Sequence, residues 1–90
     1  MGELRFEPDA FINVPLSDTE HILSKINWLW DNRSLIIHHP LKHDLSGFYK
    51  RVFGKYRIIY TYENHMDDML ICMIGTRDEI YIDAVKKYRI

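Results

Sequence analysis

The chain has 90 residues, 47% of them hydrophobic and 28% charged, with a formal net charge of −1. A stretch of that length is expected to hold one domain, residues 1–90; nothing in the composition suggests disorder, and the near-neutral charge argues against a generic polyanion binder. A single cysteine, Cys72, excludes an internal disulfide, no apolar run approaches the roughly 20 residues of a membrane span, and no secretory signal is visible, so a cytoplasmic location is expected.

Leu4-Arg5-Phe6 alternates and reads as a short strand. Pro8 suits the first turn of a brief helix that ends near Val14-Pro15. Ser17-Asp18-Thr19-Glu20 is a capping-box pattern, with Ser17 as N-cap and Glu20 reaching back. The helix it opens places Ile22, Leu23, Ile26, Leu29 and Trp30 on one core-facing stripe and ends at Asn32-Arg33-Ser34. A loop with Pro40 and Ser46-Gly47 leads into three strand-like runs, Phe48–Phe53, Tyr56–Tyr62 and Met69–Ile74. Gly54-Lys55 joins the first two tightly, and a looser polar hairpin spans Glu63 to Asp68. A final amphipathic segment from Glu79 to about Tyr88 is helical.

The expected order is therefore β-α-α-β-β-β-α, an α+β domain with a mainly antiparallel sheet. The second and third runs are apolar at both parities, whereas a sheet with one wet face alternates cleanly. Two N-terminal helices on one face and the C-terminal helix over part of the other account for that pattern. A groove lined by strand residues is left open.

Charge is unevenly placed. Before His38 the bases are Arg5, Lys25 and Arg33, against six acids. From Lys42 to Arg57 come Lys42, Lys50, Arg51, Lys55 and Arg57, against Asp44 alone. A solvated strand face explains these residues, and so does a local patch for a polyanion.

The stretch from Pro40-Leu41-Lys42 through Phe48-Tyr49-Lys50-Arg51-Val52-Phe53-Gly54-Lys55-Tyr56-Arg57 to Tyr60 resembles the RelE toxin family. So does Ile74-Gly75-Thr76-Arg77-Asp78-Glu79-Ile80-Tyr81. The shared pattern is a proline-leucine-lysine loop, a basic strand, a tight turn, a tyrosine-arginine strand start, then glycine-x-arginine and a nearby tyrosine. It covers roughly residues 38–81; the first third of the chain agrees in element order only.

The resemblance implies a toxin of a type II toxin–antitoxin system, a ribosome-dependent endoribonuclease that cuts mRNA without a metal or an organic cofactor. Its implied partners are a cognate antitoxin, the ribosome and mRNA; the free toxin is a monomer, and with its antitoxin it forms a hetero-oligomer. The functional positions that carry over are Lys50, Arg57, Arg77 and Tyr81 as catalytic residues. Lys42, Arg51, Lys55, Lys86 and Lys87 are the accompanying RNA-binding candidates. One departure matters: the family often has a second basic residue two positions beyond Lys50, and here that position is Val52. Arg51 restores the charge in sequence but projects to the opposite face unless a bulge re-aims it.

RNA is cut without metal when its own 2′-hydroxyl attacks the adjacent phosphate. The transition state gathers negative charge, so fixed cations and hydrogen-bond donors are the main requirement. Arg57 and Arg77 suit a phosphate through their planar forks. Lys50 supplies charge or a base, and Tyr81 stacks on a base or donates a hydrogen bond. A guanidinium is a poor proton donor, which leaves the acid for the leaving oxygen open, with His43 and His65 as weak candidates.

Five histidines invite a metal reading. Adjacent side chains such as His38 and His39 diverge, however, and only one cysteine is present, so no metal is expected. Trp28 lies off the helix stripe and Trp30 on it. Both are expected between helices and sheet, the alternative being Trp28 in an antitoxin-docking patch. The basic end Lys86-Lys87-Tyr88-Arg89-Ile90 suits RNA, an acidic antitoxin segment, or simply the helix dipole. Two other functions fit the same fold: a ParE-type inhibitor of DNA gyrase, and a RelE-like binding protein that does not cleave.

Overall fold

The computed structural model describes residues 2–88. Arg89 and Ile90, the end of the basic tail, lie outside the described residues. Strand β1 (Leu4–Phe6) is followed by helix α1 (Leu16–Asp31), strand β2 (His39–Pro40), a short 3-10 turn (His43–Leu45), strands β3 (Tyr49–Phe53), β4 (Tyr56–Glu63) and β5 (Asp68–Gly75), and helix α2 (Glu79–Tyr88). The order is β-α-β-β-β-β-α, with one N-terminal helix where the sequence suggested two.

The missing helix is a chain of turns. Between Pro8 and Pro15 the backbone bonds run Ala10 to Glu7, Ile12 to Asp9 and Val14 to Phe11, each closing a single turn that does not propagate. Six residues between prolines are too few to repay helix nucleation. Nor does Ser17 cap α1. Pro15 occupies that place at φ −57° and ψ 146°, and no side chain caps the end. Proline's fixed φ sets the helix start two residues earlier than the serine motif suggests. Of the expected stripe, Ile22, Ile26 and Leu29 are buried and Trp30 packs half-buried against the same core, while Leu23 is half-buried outside it.

The five strands form one sheet in the order β1-β5-β4-β3-β2. β1 runs parallel to β5, and the other pairs are antiparallel. β2 has two residues, one of them proline, which fits an edge strand and gives no pattern to read beforehand. Gly54 takes φ +56° in the two-residue turn between β3 and β4, a conformation glycine adopts at little cost.

Helices cover both faces. On one, α1 meets Tyr56, Ile58 and Tyr60 of β4 and Met69, Ile71 and Ile74 of β5. On the other, Ile80 and Ala84 of α2 meet Leu45, Ile59 and Cys72. This explains why β4 and β5 are apolar at both parities. Ile59 pairs with Met73 and Tyr60 with Ile71, so Cys72 is the extra residue of a bulge. The bulge turns Cys72 and Met73 together toward α2.

The last turn of α1 is tied to the β4–β5 hairpin. Arg33 stacks on Trp30 at 3.5 Å and grips Asp67 through two 2.7 Å hydrogen bonds, while Tyr62 donates to the same carboxylate at 2.9 Å. These donors hold Asp67 well below the usual carboxylate range, at a pKa of about 2, with Arg33 the main cause. Beside them His38 packs against Tyr49, Tyr60 and Tyr62 and bonds Tyr60 Oη and the Arg33 carbonyl. His39 faces the other way, so the adjacent histidines do diverge.

Candidate functional site

Residues directly opposite in an antiparallel pair share a sheet face. Arg57 pairs with Val52, and Lys50 pairs with Ile59, two residues beyond Arg57 on β4. Ile59 belongs to the core beneath α2, so Lys50, Val52 and Arg57 all lie on the α2 face. Arg51 and Phe53 take the α1 face. The register thus puts a lysine and an arginine diagonally across Val52, whose side chain is 52% exposed and floors the space between them.

Arg57 is drawn toward the start of α2. It donates to the carbonyl of Thr76 at 3.1 Å and pairs with Asp78 at 3.0 Å. Arg57, Thr76, Arg77, Asp78, Glu79 and Ile82 line one open groove of about 590 Å³. Tyr81, one residue before Ile82 on α2, is half-buried against the core beneath that helix and lies near Arg57. Burial pushes its phenol above the ordinary value, and the nearby Arg57 charge acts in the opposite direction. No carboxylate lies within ion-pairing distance of Lys50 or Arg77 among the described residues.

Gly75 explains why the groove can exist. A Cβ on Gly75 would meet the Ile80 side chain at 2.9–3.2 Å, so the missing side chain lets α2 turn back tightly over the end of β5. That close return sets Arg77 beside Arg57. The glycine-x-arginine spacing read in the sequence therefore has a packing reason.

Of the four predicted catalytic residues, the structure brings Arg57, Arg77 and Tyr81 together. Lys50 lines a neighbouring depression with His39 and Val52 of the same face, and with Arg51 at its edge. The secondary candidates scatter. Arg51 crosses to the α1 face, over the Trp28 ring at 5.4 Å and bonded to the Ile37 carbonyl. Lys55 leans to Asp18 of α1 at 3.7 Å. Lys87 is bonded to Asp9 at 2.6 Å, whereas Lys42 and Lys86 are exposed. Trp28 is 43% exposed, edge-on to Phe53, and so less covered than its sequence reading implied. His39 was missed because its place beside Lys50 depends on β2, which is too short to leave a sequence signal.

No protein-family model and no curated protein sequence matches the chain. Solved structures do match. The isolated RelE toxin of E. coli superposes with a TM-score of 0.62 at 19% identity, covering 93% of this chain and 95% of that one. The toxin–antitoxin complex RelBE2 of Mycobacterium tuberculosis matches with a TM-score of 0.60 at 22% identity, covering 82% of this chain and 88% of that chain. The intact E. coli RelBE toxin–antitoxin complex gives 0.58 at 14% identity, over 83% and 95%. This chain has the fold of the RelE toxins.

Proposed function

We propose that this chain is the toxin of a type II toxin–antitoxin pair and that it cuts mRNA on the ribosome. The observation that carries the reading is the groove between β4 and α2, where Arg57 and Arg77 line one wall system beside Tyr81, with Lys50 on the same sheet face. Two guanidinium forks and an ammonium supply fixed positive charge where a scissile phosphate becomes more negative. Tyr81 remains protonated at neutral pH, since burial raises its phenol, and so it can give a proton or a hydrogen bond but not take one. Asp78 is no obstacle: its side chain is 82% exposed, and an ion pair so open to water is weak enough for a phosphate to displace.

The partner follows by analogy with the M. tuberculosis and E. coli complexes, in which RelE-type chains sit with their antitoxins. The free toxin is then a monomer and the antitoxin complex a hetero-oligomer, acting in the cytoplasm. No helix among the described residues is long and apolar enough to cross a membrane.

Primer extension on mRNA from cells expressing the chain, beside cells expressing Arg77→Ala, tests the reading. Cuts within translated codons that vanish in the variant support it. Intact mRNA together with trapped gyrase–DNA complexes would favour the ParE-type alternative.

A further inference from the structure

Metal-free cleavage of RNA needs three things: charge on the phosphate, an acid for the leaving oxygen, and a base for the attacking hydroxyl. Arg57, Arg77 and Lys50 meet the first and Tyr81 the second. The guanidiniums stay charged and the phenol stays protonated, which leaves Lys50 and one further candidate for the third. That further candidate lies at the other end of the same face. His39 pairs directly with Lys50 across β2 and β3, which puts their side chains side by side. The two residues line one open depression with Arg51 and Val52. The His39 ring has no hydrogen-bond partner among the described residues, and Lys50 is the charged group facing it from β3, with Arg51 at the strand edge. Its neighbour His38 has both ring nitrogens engaged and its face turned to the α1 core. An imidazole exchanges protons near neutral pH.

The spacing also fits. In an in-line displacement the base and the acid act from opposite sides of the phosphorus. His39 stands two strands across the sheet and two residues along it from Arg57, roughly 12 Å in all, with Lys50 and Val52 of β3 between them. His39 lies on β2 to one side of Lys50 and Val52, and Tyr81 lies near Arg57 of β4 on the other, so a phosphate held over Val52 would have one group on either side.

We infer that His39 is the general base of this site. Resting on the nuclease reading above, the step is as follows. A His39 ring nitrogen takes the 2′-hydroxyl proton as the 2′-oxygen bonds to phosphorus. The bond from phosphorus to the 5′-oxygen breaks, and that oxygen takes the Tyr81 phenol proton. The products are a 2′,3′-cyclic phosphate and a free 5′-hydroxyl. Solvent then returns the protons.

The test is single-turnover cleavage of mRNA on programmed ribosomes across pH 5–9 for the full chain, His39→Gln and Tyr81→Phe. One mRNA carries an ordinary linkage, and another has sulfur at the 5′ bridging position of the scissile linkage. His39→Gln should slow cleavage about 10²-fold or more and flatten the acidic limb of the pH profile, with an unchanged melting temperature because the ring is exposed. The thiolate leaves without an acid, so sulfur should restore Tyr81→Phe and leave His39→Gln slow. Cleavage by His39→Gln within twofold of the unsubstituted chain, or its rescue by sulfur, overturns the assignment. A wild-type chain that leaves ribosomal mRNA intact overturns the nuclease reading itself, and a failing variant beside an active wild type cannot be mistaken for that result.

Discussion

Arg57 and Asp78 form an ion pair at 3.0 Å in which one partner is partly buried and the other almost free: the Arg57 side chain is 28% exposed and that of Asp78 is 82%. The arginine is further anchored by the Thr76 carbonyl at 3.1 Å, so it stays in place if the carboxylate leaves. Asp78 is therefore a competitor for the phosphate rather than the support of Arg57.

Asp78→Ala should raise affinity for RNA, and with it cleavage at low substrate, by about two- to fivefold, the scale of an exposed ion pair. The gain should shrink as salt is added. Titration of ribosome binding at two ionic strengths checks it, and weaker binding by the variant would mean that Asp78 positions the arginine after all.

Val52 stands on the α2 face between Lys50 and Arg57, opposite the latter across the β3–β4 ladder. Because it is 52% exposed, a longer side chain meets no core there. Val52→Lys should add one phosphate contact. The slope of log affinity against log salt for single-stranded RNA should then steepen by about 0.7. An unchanged slope would show that the nucleic acid passes elsewhere.

Gly75→Ala should damage fold and site together. The added Cβ meets Ile80 at 2.9–3.2 Å, and such overpacking costs about 1–3 kcal/mol. For a domain of this size that lowers Tm by roughly 4–8 °C per kcal/mol. Combining it with Ile80→Val should cost less than the sum of the two single changes, because the clash is shared. Thermal melts of the four proteins decide the point.

Acid stability turns on Asp67. Its carboxyl is lowered to a pKa of about 2 by Arg33 and Tyr62, against roughly 3.9 in an unfolded chain. A depressed carboxyl favours folding at pH above about 4, and this contribution fades as pH falls toward 2. Asp67→Asn should therefore lower Tm at neutral pH and converge on the unsubstituted protein between pH 4 and 2. A gap that stays constant through that range would assign the effect to lost hydrogen bonds instead of charge.

Four of the five strands, the final helix and the two arginines that share the groove were legible in the sequence because each has a strong local signal. β3 and β4 flank a turn that needs Gly54, and α2 follows a glycine that its own Ile80 requires. Where the reading failed, a stronger local constraint overrode the motif or the element was too short to have one. Pro15 pre-empted Ser17 at the start of α1, and the segment from Pro8 to Val14 closed as separate turns. β2 holds two residues and exists only through its pairing with β3, so neither the strand nor the place of His39 beside Lys50 was readable beforehand. Arg51 shows the limit of charge counting. It lies within the basic run, but the period of two along β3 sends it to Trp28 and the α1 face.

That division of the basic strand gives the most direct test. Cleavage of ribosome-bound mRNA should be measured in one assay for the unsubstituted chain, Arg57→Ala and Arg51→Ala. Arg57 faces the groove and Arg51 the opposite side of the sheet, so the first variant should lose at least about 10²-fold in rate and the second should cut within twofold of the parent. Equal losses in both, or none in Arg57→Ala, would contradict a cleavage site built on the α2 face.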